Sequence, residues 1–136
     1  MNKSAPTPVY GLTNPTPSEQ DQQPIARYGS VIELIPAKEQ EYRKLHAEVW
    51  PEVQEAIKKA NIQNYSIYVA QLGEKKYLFS YFEYTGSDAK KDFAKIADDP
   101  TTRDRWWPLT DACQQQLPDT PEGEQWLPLE MVMHVE

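Results

Sequence analysis

The sequence predicts an α+β fold, a ferredoxin-like split βαβ arrangement with an antiparallel four-stranded sheet and helices on one face. Three observations carry this. The hydrophobic period changes between strand-like and helical along the chain in the order β-α-β-β-α-(α)-β. Two alternating runs, 62–72 and 76–84, flank a Gly73-Glu74-Lys75 turn and read as a hairpin. A length of 136 residues suits one domain of two packed layers.

Residues 1 to about 26 are rich in Pro, Thr, Gln and Ser with few apolar residues, so the chain is expected to begin with a disordered tail, 1–26, ahead of a domain over 27–136. Tyr28 to Ile35 carries Val31, Ile32, Leu34 and Ile35 and stops at Pro36, as a first strand would. From Ala37 the period is helical, with Leu45, Val49, Val53, Ala56, Ile57 and Ala60 on one stripe. Pro51 interrupts that stripe. It disfavours helical geometry at Trp50 and lacks the N–H that would bond four residues back, so the helix kinks or restarts there. Asn61 ends it. In the hairpin, Tyr65, Ile67 and Val69 share one face of their strand, and Tyr77, Phe79 and Tyr81 face opposite to Leu78, Ser80 and Phe82. Ser87 is positioned to cap a second helix, with Ala89, Phe93, Ile96 and Ala97 as its buried stripe, closed by Asp98-Asp99-Pro100. Thr101 or Thr102 caps a third, whose Trp106, Leu109, Thr110, Cys113 and Leu117 share a face up to Pro118. Trp126 to Val135 reads as the last strand. Both faces of the middle strands are apolar or aromatic, and a dimer packing sheet to sheet would cover the second one.

Several functions lack their parts. A net charge of −7 argues against nucleic acid or an anionic membrane as partner. No apolar run approaches the roughly 20 residues of a membrane span. The single cysteine cannot form an internal disulfide and no apolar leader follows a basic start, so a reducing, cytoplasmic setting is expected. His46 and His134 do not make a metal site by spacing, and five glycines include no phosphate-binding loop, so no metal is expected. Cys113 falls on a buried stripe, where a thiol is inert. Asp98, Asp99, Glu122 and Glu124 fall in loops and read as solvated.

What remains is a set of aromatic residues and one histidine. Tyr42 and His46 are four apart, which puts them on one helix face, and imidazole exchanges protons near neutral pH. Tyr65 lies early on the second strand, and Trp106 and Trp107 are adjacent at the start of the third helix. All could converge at one end of the sheet. Tyrosines, tryptophans and a histidine without clustered Lys or Arg suit a neutral sugar, whose C–H surfaces need flat apolar faces and whose oxygens need hydroxyl or ring N–H groups. Each residue also has a structural reading. A helical histidine can be a hydrogen-bonded structural group, Trp106 lies on a stripe that predicts core, and Trp50 can simply pack the kink.

The segments EYRKLHAEVWPEV, NIQNYSIYV and RDRWWPLTDAC, in that order and at those separations, resemble the L-rhamnose mutarotase family over about residues 27 to 136. The likeness departs at Ala47-Glu48, where the family often has Asn-Pro. It implies a dimeric α/β barrel of ferredoxin-like protomers, with His46 as proton donor, Tyr42 and Tyr65 contacting the sugar, and Trp106 and Trp107 lining its pocket. The implied reaction interconverts the α and β anomers of L-rhamnose by ring opening and reclosure and needs no cofactor. A cofactor-free monooxygenase of the dimeric barrel type, or a non-catalytic sugar-binding module on the same scaffold, are the alternatives. Oxygen consumption with a quinol would reveal the first, and sugar binding without faster anomer exchange the second.

Overall fold

The computed structural model describes residues 6–136, so the first five residues of the expected tail lie outside the described residues. Its centre is β1 (Ala26–Leu34), preceded by a short helix α1 (Pro17–Asp21). Composition gave no hint of α1, but its local signals are plain. Thr16 and Glu19 form a reciprocal capping box and Pro17 sits in the first turn, where its missing N–H has no partner to lose.

After a 3₁₀ turn at Pro36–Lys38 come α2 (Glu39–Ala47) and α3 (Pro51–Lys59). They are the halves of the expected helix, separated where Trp50 adopts extended geometry (φ −58°, ψ 140°) ahead of Pro51. The hairpin follows as β2 (Ile62–Leu72) and β3 (Lys75–Tyr84), then α4 (Ala89–Ala94). Asp88, not Ser87, caps α4, its side chain accepting from the Lys91 N–H at 3.2 Å. A 3₁₀ turn (Lys95–Asp98) and a wide π-type turn (Thr102–Trp106) lead into α5 (Trp107–Asp111). Asp99 is no solvated loop acid. Its carboxylate accepts from both the Thr102 N–H (2.9 Å) and the Thr102 hydroxyl (2.6 Å), starting the turn that Thr101 or Thr102 was expected to cap. The turn is wide because the Trp107 N–H reaches back five residues to Thr102, and Pro108 brings no N–H to restore the tighter pitch.

The third helix ends at Asp111 and not at Pro118, because Gln114–Gln115 turns into a strand, β4, that pairs with Glu33 and Leu34. Tertiary pairing there overrides helical period. The last strand, β5, spans only Leu127–Leu129 against Gly29, Ser30 and Val31, while β4 occupies the Glu33–Leu34 end of the same β1 edge. The backbone then leaves the sheet, and the His134 N–H donates to the Thr13 carbonyl. The sheet thus has five strands in antiparallel order β2-β3-β1-β4, with β5 beside β4 on the β1 edge.

Helices cover one face. There Ile32, Leu34 and Leu78 meet Tyr42 of α2 and Cys113, with Ile67 and Trp126 packed against them. Register puts Val31, Phe79 and Tyr68 side by side on the opposite face, where Tyr68 is 64% exposed.

Candidate active site

The last turn of α2 stacks the rings of Tyr42 and His46, with centroids 4.0 Å apart and planes 25° from parallel. His46 Nδ1 lies 2.9 Å from the carbonyl oxygen of Tyr42. A carbonyl only accepts, so Nδ1 carries the hydrogen and, in the neutral ring, Nε2 holds the lone pair. Burial pulls the imidazole pKa below its ordinary value, and the bond to the backbone only partly opposes this. At neutral pH His46 is therefore an uncharged base with Nε2 available. Trp106 holds the ring's other side (5.2 Å between centroids), Trp50 packs edge-on against Trp106 (5.1 Å), and the Arg105 guanidinium lies over Trp50 (5.3 Å). Trp50 thus backs the site from behind, in keeping with its reading as the packing of the kink.

Tyr42 is 4% exposed, and its hydroxyl is buried without a hydrogen-bond partner among the described residues. Burial pushes the phenol well above the ordinary tyrosine value, the nearby Tyr65 phenol adds to this, and Gln114 leans the other way without reaching hydrogen-bond geometry. Both phenols stay protonated through the physiological range.

A β-bulge immediately precedes Tyr65 on β2. Between the pairs Gln63↔Glu83 and Ser66↔Tyr81 the β2 strand has one residue more than β3, and Asn64 takes φ 50°, in the left-handed region that asparagine tolerates. Glu83 clamps the bulge, accepting from the side chains of Gln63 (2.9 Å), Asn64 (2.8 Å) and Tyr81 (2.8 Å), which holds its carboxyl down at about 2. Tyr65 then lies over Phe82, centroids 5.3 Å apart. It is 42% exposed, but that exposure is to a cleft, and its hydroxyl sits deep enough for burial to raise the pKa.

The cleft, about 1310 Å³, is lined by all five residues singled out from the sequence: Tyr42, His46, Tyr65, Trp106 and Trp107. Trp106 is 6% exposed, so it is both wall and core, while Trp107 keeps 36% of its surface open. Sequence reading missed Asp111, Gln114 and Trp126 on the same walls. Asp111 follows Trp107 by four residues, a signal present in the sequence. Gln114 could not be found, because its place depends on the helix ending early. The cleft exceeds the bulk of a monosaccharide, and its phenol, indole and amide groups offer directional contacts to an uncharged polyol.

Fold and cleft together define an α+β protein with an antiparallel sheet curled as a half-barrel around an aromatic, histidine-bearing cavity. The profile of the L-rhamnose mutarotase family matches residues 27–135, and the chain belongs to that family. It is similar to a UPF0734 protein of Dictyostelium discoideum (35% identical, covering 77% of this chain and 86% of that one). It is also similar to the L-rhamnose mutarotase of Listeria monocytogenes (36% identical, covering 61% and 74%). The crystal structure of L-rhamnose mutarotase from Formosa agariphila shares the fold, with a TM-score of 0.55 at 24% identity over 81% of this chain and 98% of that one. No helix among the described residues is long and apolar enough to cross a membrane.

Proposed function

We propose that this chain is an isomerase interconverting the α and β anomers of L-rhamnose, with His46 as the proton-transfer group. Family membership supports the reaction, and one observation carries the assignment of the residue. The backbone fixes the proton of His46 on Nδ1 and leaves Nε2 as a lone-pair base at the cleft. Ring opening removes the proton from the anomeric O1 and adds one to the ring oxygen O5, giving the open aldehyde. O1 and O5 are bonded to the same carbon, so a single nitrogen aimed between them takes the proton from the first and delivers it to the second. His46 is the base and then, as imidazolium, the donor. Rotation about the C1–C2 bond presents the other carbonyl face, and reclosure reverses both transfers. No electrons are exchanged with any other group, so no cofactor is called for.

Tyr42 and Tyr65 contribute neutral hydroxyl donors to the sugar oxygens, and Trp106 and Trp107 contribute flat faces to its C–H surfaces. The finer fold reading is a ferredoxin-like protomer, supported by the order β2-β3-β1-β4 with helices on one face. Its partner is a second copy, supported by the apolar row Val31, Phe79 and Tyr68 on the face away from the helices. The catalytic domain is 27–136, the preceding segment is an extension outside the chemistry, and the setting is cytoplasmic, with one buried thiol at Cys113.

The test is saturation transfer between the anomeric proton resonances of L-rhamnose. Wild-type protein accelerates the exchange, and His46→Ala loses about 10²- to 10⁴-fold of the acceleration, the usual share of a positioned acid–base group. Wild-type-like exchange in the folded variant would remove His46 from the mechanism.

A further inference from the structure

Beyond the residues that carry the proton transfer, the cleft contains a carboxyl with no hydrogen-bond or ion-pair partner among the described residues. Asp111 closes α5 one turn after Trp107, so the two lie on the same side of the helix, and both line the cleft. The other acids with altered proton affinity have visible partners. Glu39 accepts from Lys76 and Arg43, Glu83 from Gln63, Asn64 and Tyr81, Asp92 from Tyr84, Lys95 and Asn61, and Asp99 from Thr102. In each of these the partners draw the pKa down. Asp111 is shifted the other way, and burial is its only cause, with no cation or hydrogen-bond donor offsetting it. A partly desolvated carboxylate without a partner is unfavourable on its own account and is kept where something else is to meet it.

The chemistry of the remaining lining says what that is. Tyr42, Tyr65 and the Trp107 indole N–H give the cleft several donors. A bound sugar also brings hydroxyl protons that need acceptors, and an ionised carboxylate is acceptor-only with room for two. Glu48, just past the end of α2, is the other carboxyl on the lining, and both it and Asp111 are exposed. Asp111 sits one turn from an indole that can cover the C–H face of the same ring.

We infer that Asp111 is a substrate-binding residue, its carboxylate accepting hydrogen bonds from hydroxyls of the sugar that stacks on Trp107, and that it sets which hydroxyl pattern the cleft admits. This rests on the mutarotase reading for the identity of the sugar and adds an anionic anchor that the proton transfer at His46 does not require.

Asp111→Asn keeps the shape and removes the charge. In the exchange experiment it raises KM for L-rhamnose about 10- to 100-fold, the usual loss for a hydrogen bond to a charged acceptor, while kcat changes less than about threefold. Monodeoxy analogues identify the hydroxyls involved. Wild type loses affinity for the analogue lacking an anchored hydroxyl, and Asp111→Asn no longer distinguishes that analogue from L-rhamnose. An unchanged KM, a fall in kcat alone, or the same rise in KM from Glu48→Gln overturns the assignment. A thermal melt of each variant separates binding from folding, because a merely structural carboxylate would lower Tm without changing discrimination among deoxy sugars. Ligand-observed NMR of L-rhamnose on wild type and Asp111→Asn reads the anchor without turnover. Weaker binding to the variant by a protein that does not exchange anomers would uphold Asp111 while sinking the mutarotase reading, and equal binding alongside active exchange would do the reverse.

Discussion

Tyr84 and Tyr42 are equally buried, each at 4% exposure, yet their hydroxyls are served very differently. The Tyr84 hydroxyl donates to Asp92 at 2.5 Å and accepts from the Asp88 N–H at 2.8 Å. Asp92 also takes Asn61 (3.0 Å) and Lys95 (2.9 Å), and Gly86 lies against both Tyr84 and Asp92 with no room for a methyl group. Burial and the bond to Asp92 push the Tyr84 phenol up to about 12. This knot ties the end of β3 to α4, and every polar group in it is occupied. Among the described residues the Tyr42 hydroxyl has no partner, the neighbouring His46 has one nitrogen committed to the Tyr42 carbonyl, and Asp111 has no partner either. The knot closes on itself and holds the fold. The cleft leaves these three side chains with bonding capacity uncommitted, as a surface that meets a ligand must.

Substitutions can break this contrast or sharpen it. The largest effect on stability falls in the knot. Tyr84→Phe strips a partner from Asp92 and from the Asp88 amide and costs about 1–3 kcal/mol in denaturant unfolding, with anomer exchange by the folded fraction unaltered. Tyr42→Phe reverses that pattern. Stability stays within about 0.5 kcal/mol, because no bond is lost, while exchange falls by roughly tenfold, the worth of one hydrogen bond to the substrate. A Tyr42→Phe protein with full activity would move the phenol from the site to the core. The smallest effect concerns pH. Since burial lowers the His46 pKa, the neutral base persists below its ordinary value, and the acid limb of kcat/KM lies below 6.5. A limb at or above 6.5 would mean that protonated His46 is favoured in the free enzyme.

How much of this the sequence revealed depends on how local each signal is. The break at Pro51 and the i, i+4 pairing of Tyr42 with His46 are written in adjacent residues, and both appear where the spacing puts them. The meeting of Trp106 and Trp107 with that pair followed from the order of elements, which brings them to one end of the sheet, and from the motif they share with the family. The early end of α5 was not legible, since it follows from Gln114 finding the edge of β1 eighty residues back in the chain. With it went Gln114 as a cleft residue. The bulge at Asn64 was equally hidden, since simple alternation already put Tyr65 on the face of Ile67 and the extra residue is visible only against the register of β3. The separation of Trp50 from the cleft needed coordinates too, because an exposed-looking indole beside a proline reads the same in front of a site or behind it.

The hydrogen bond from His46 Nδ1 ends on main chain, and this has a consequence for how the site can fail. Many enzymes orient an imidazole with a carboxylate, which a point mutation can delete. Here the orienting oxygen belongs to the peptide unit one turn earlier, so any amino acid at position 42 supplies it as long as α2 keeps its pitch. The protonation pattern of the ring is thus secured by helical geometry itself, and undoing it takes a shift in where the helix stops, not the loss of a side chain.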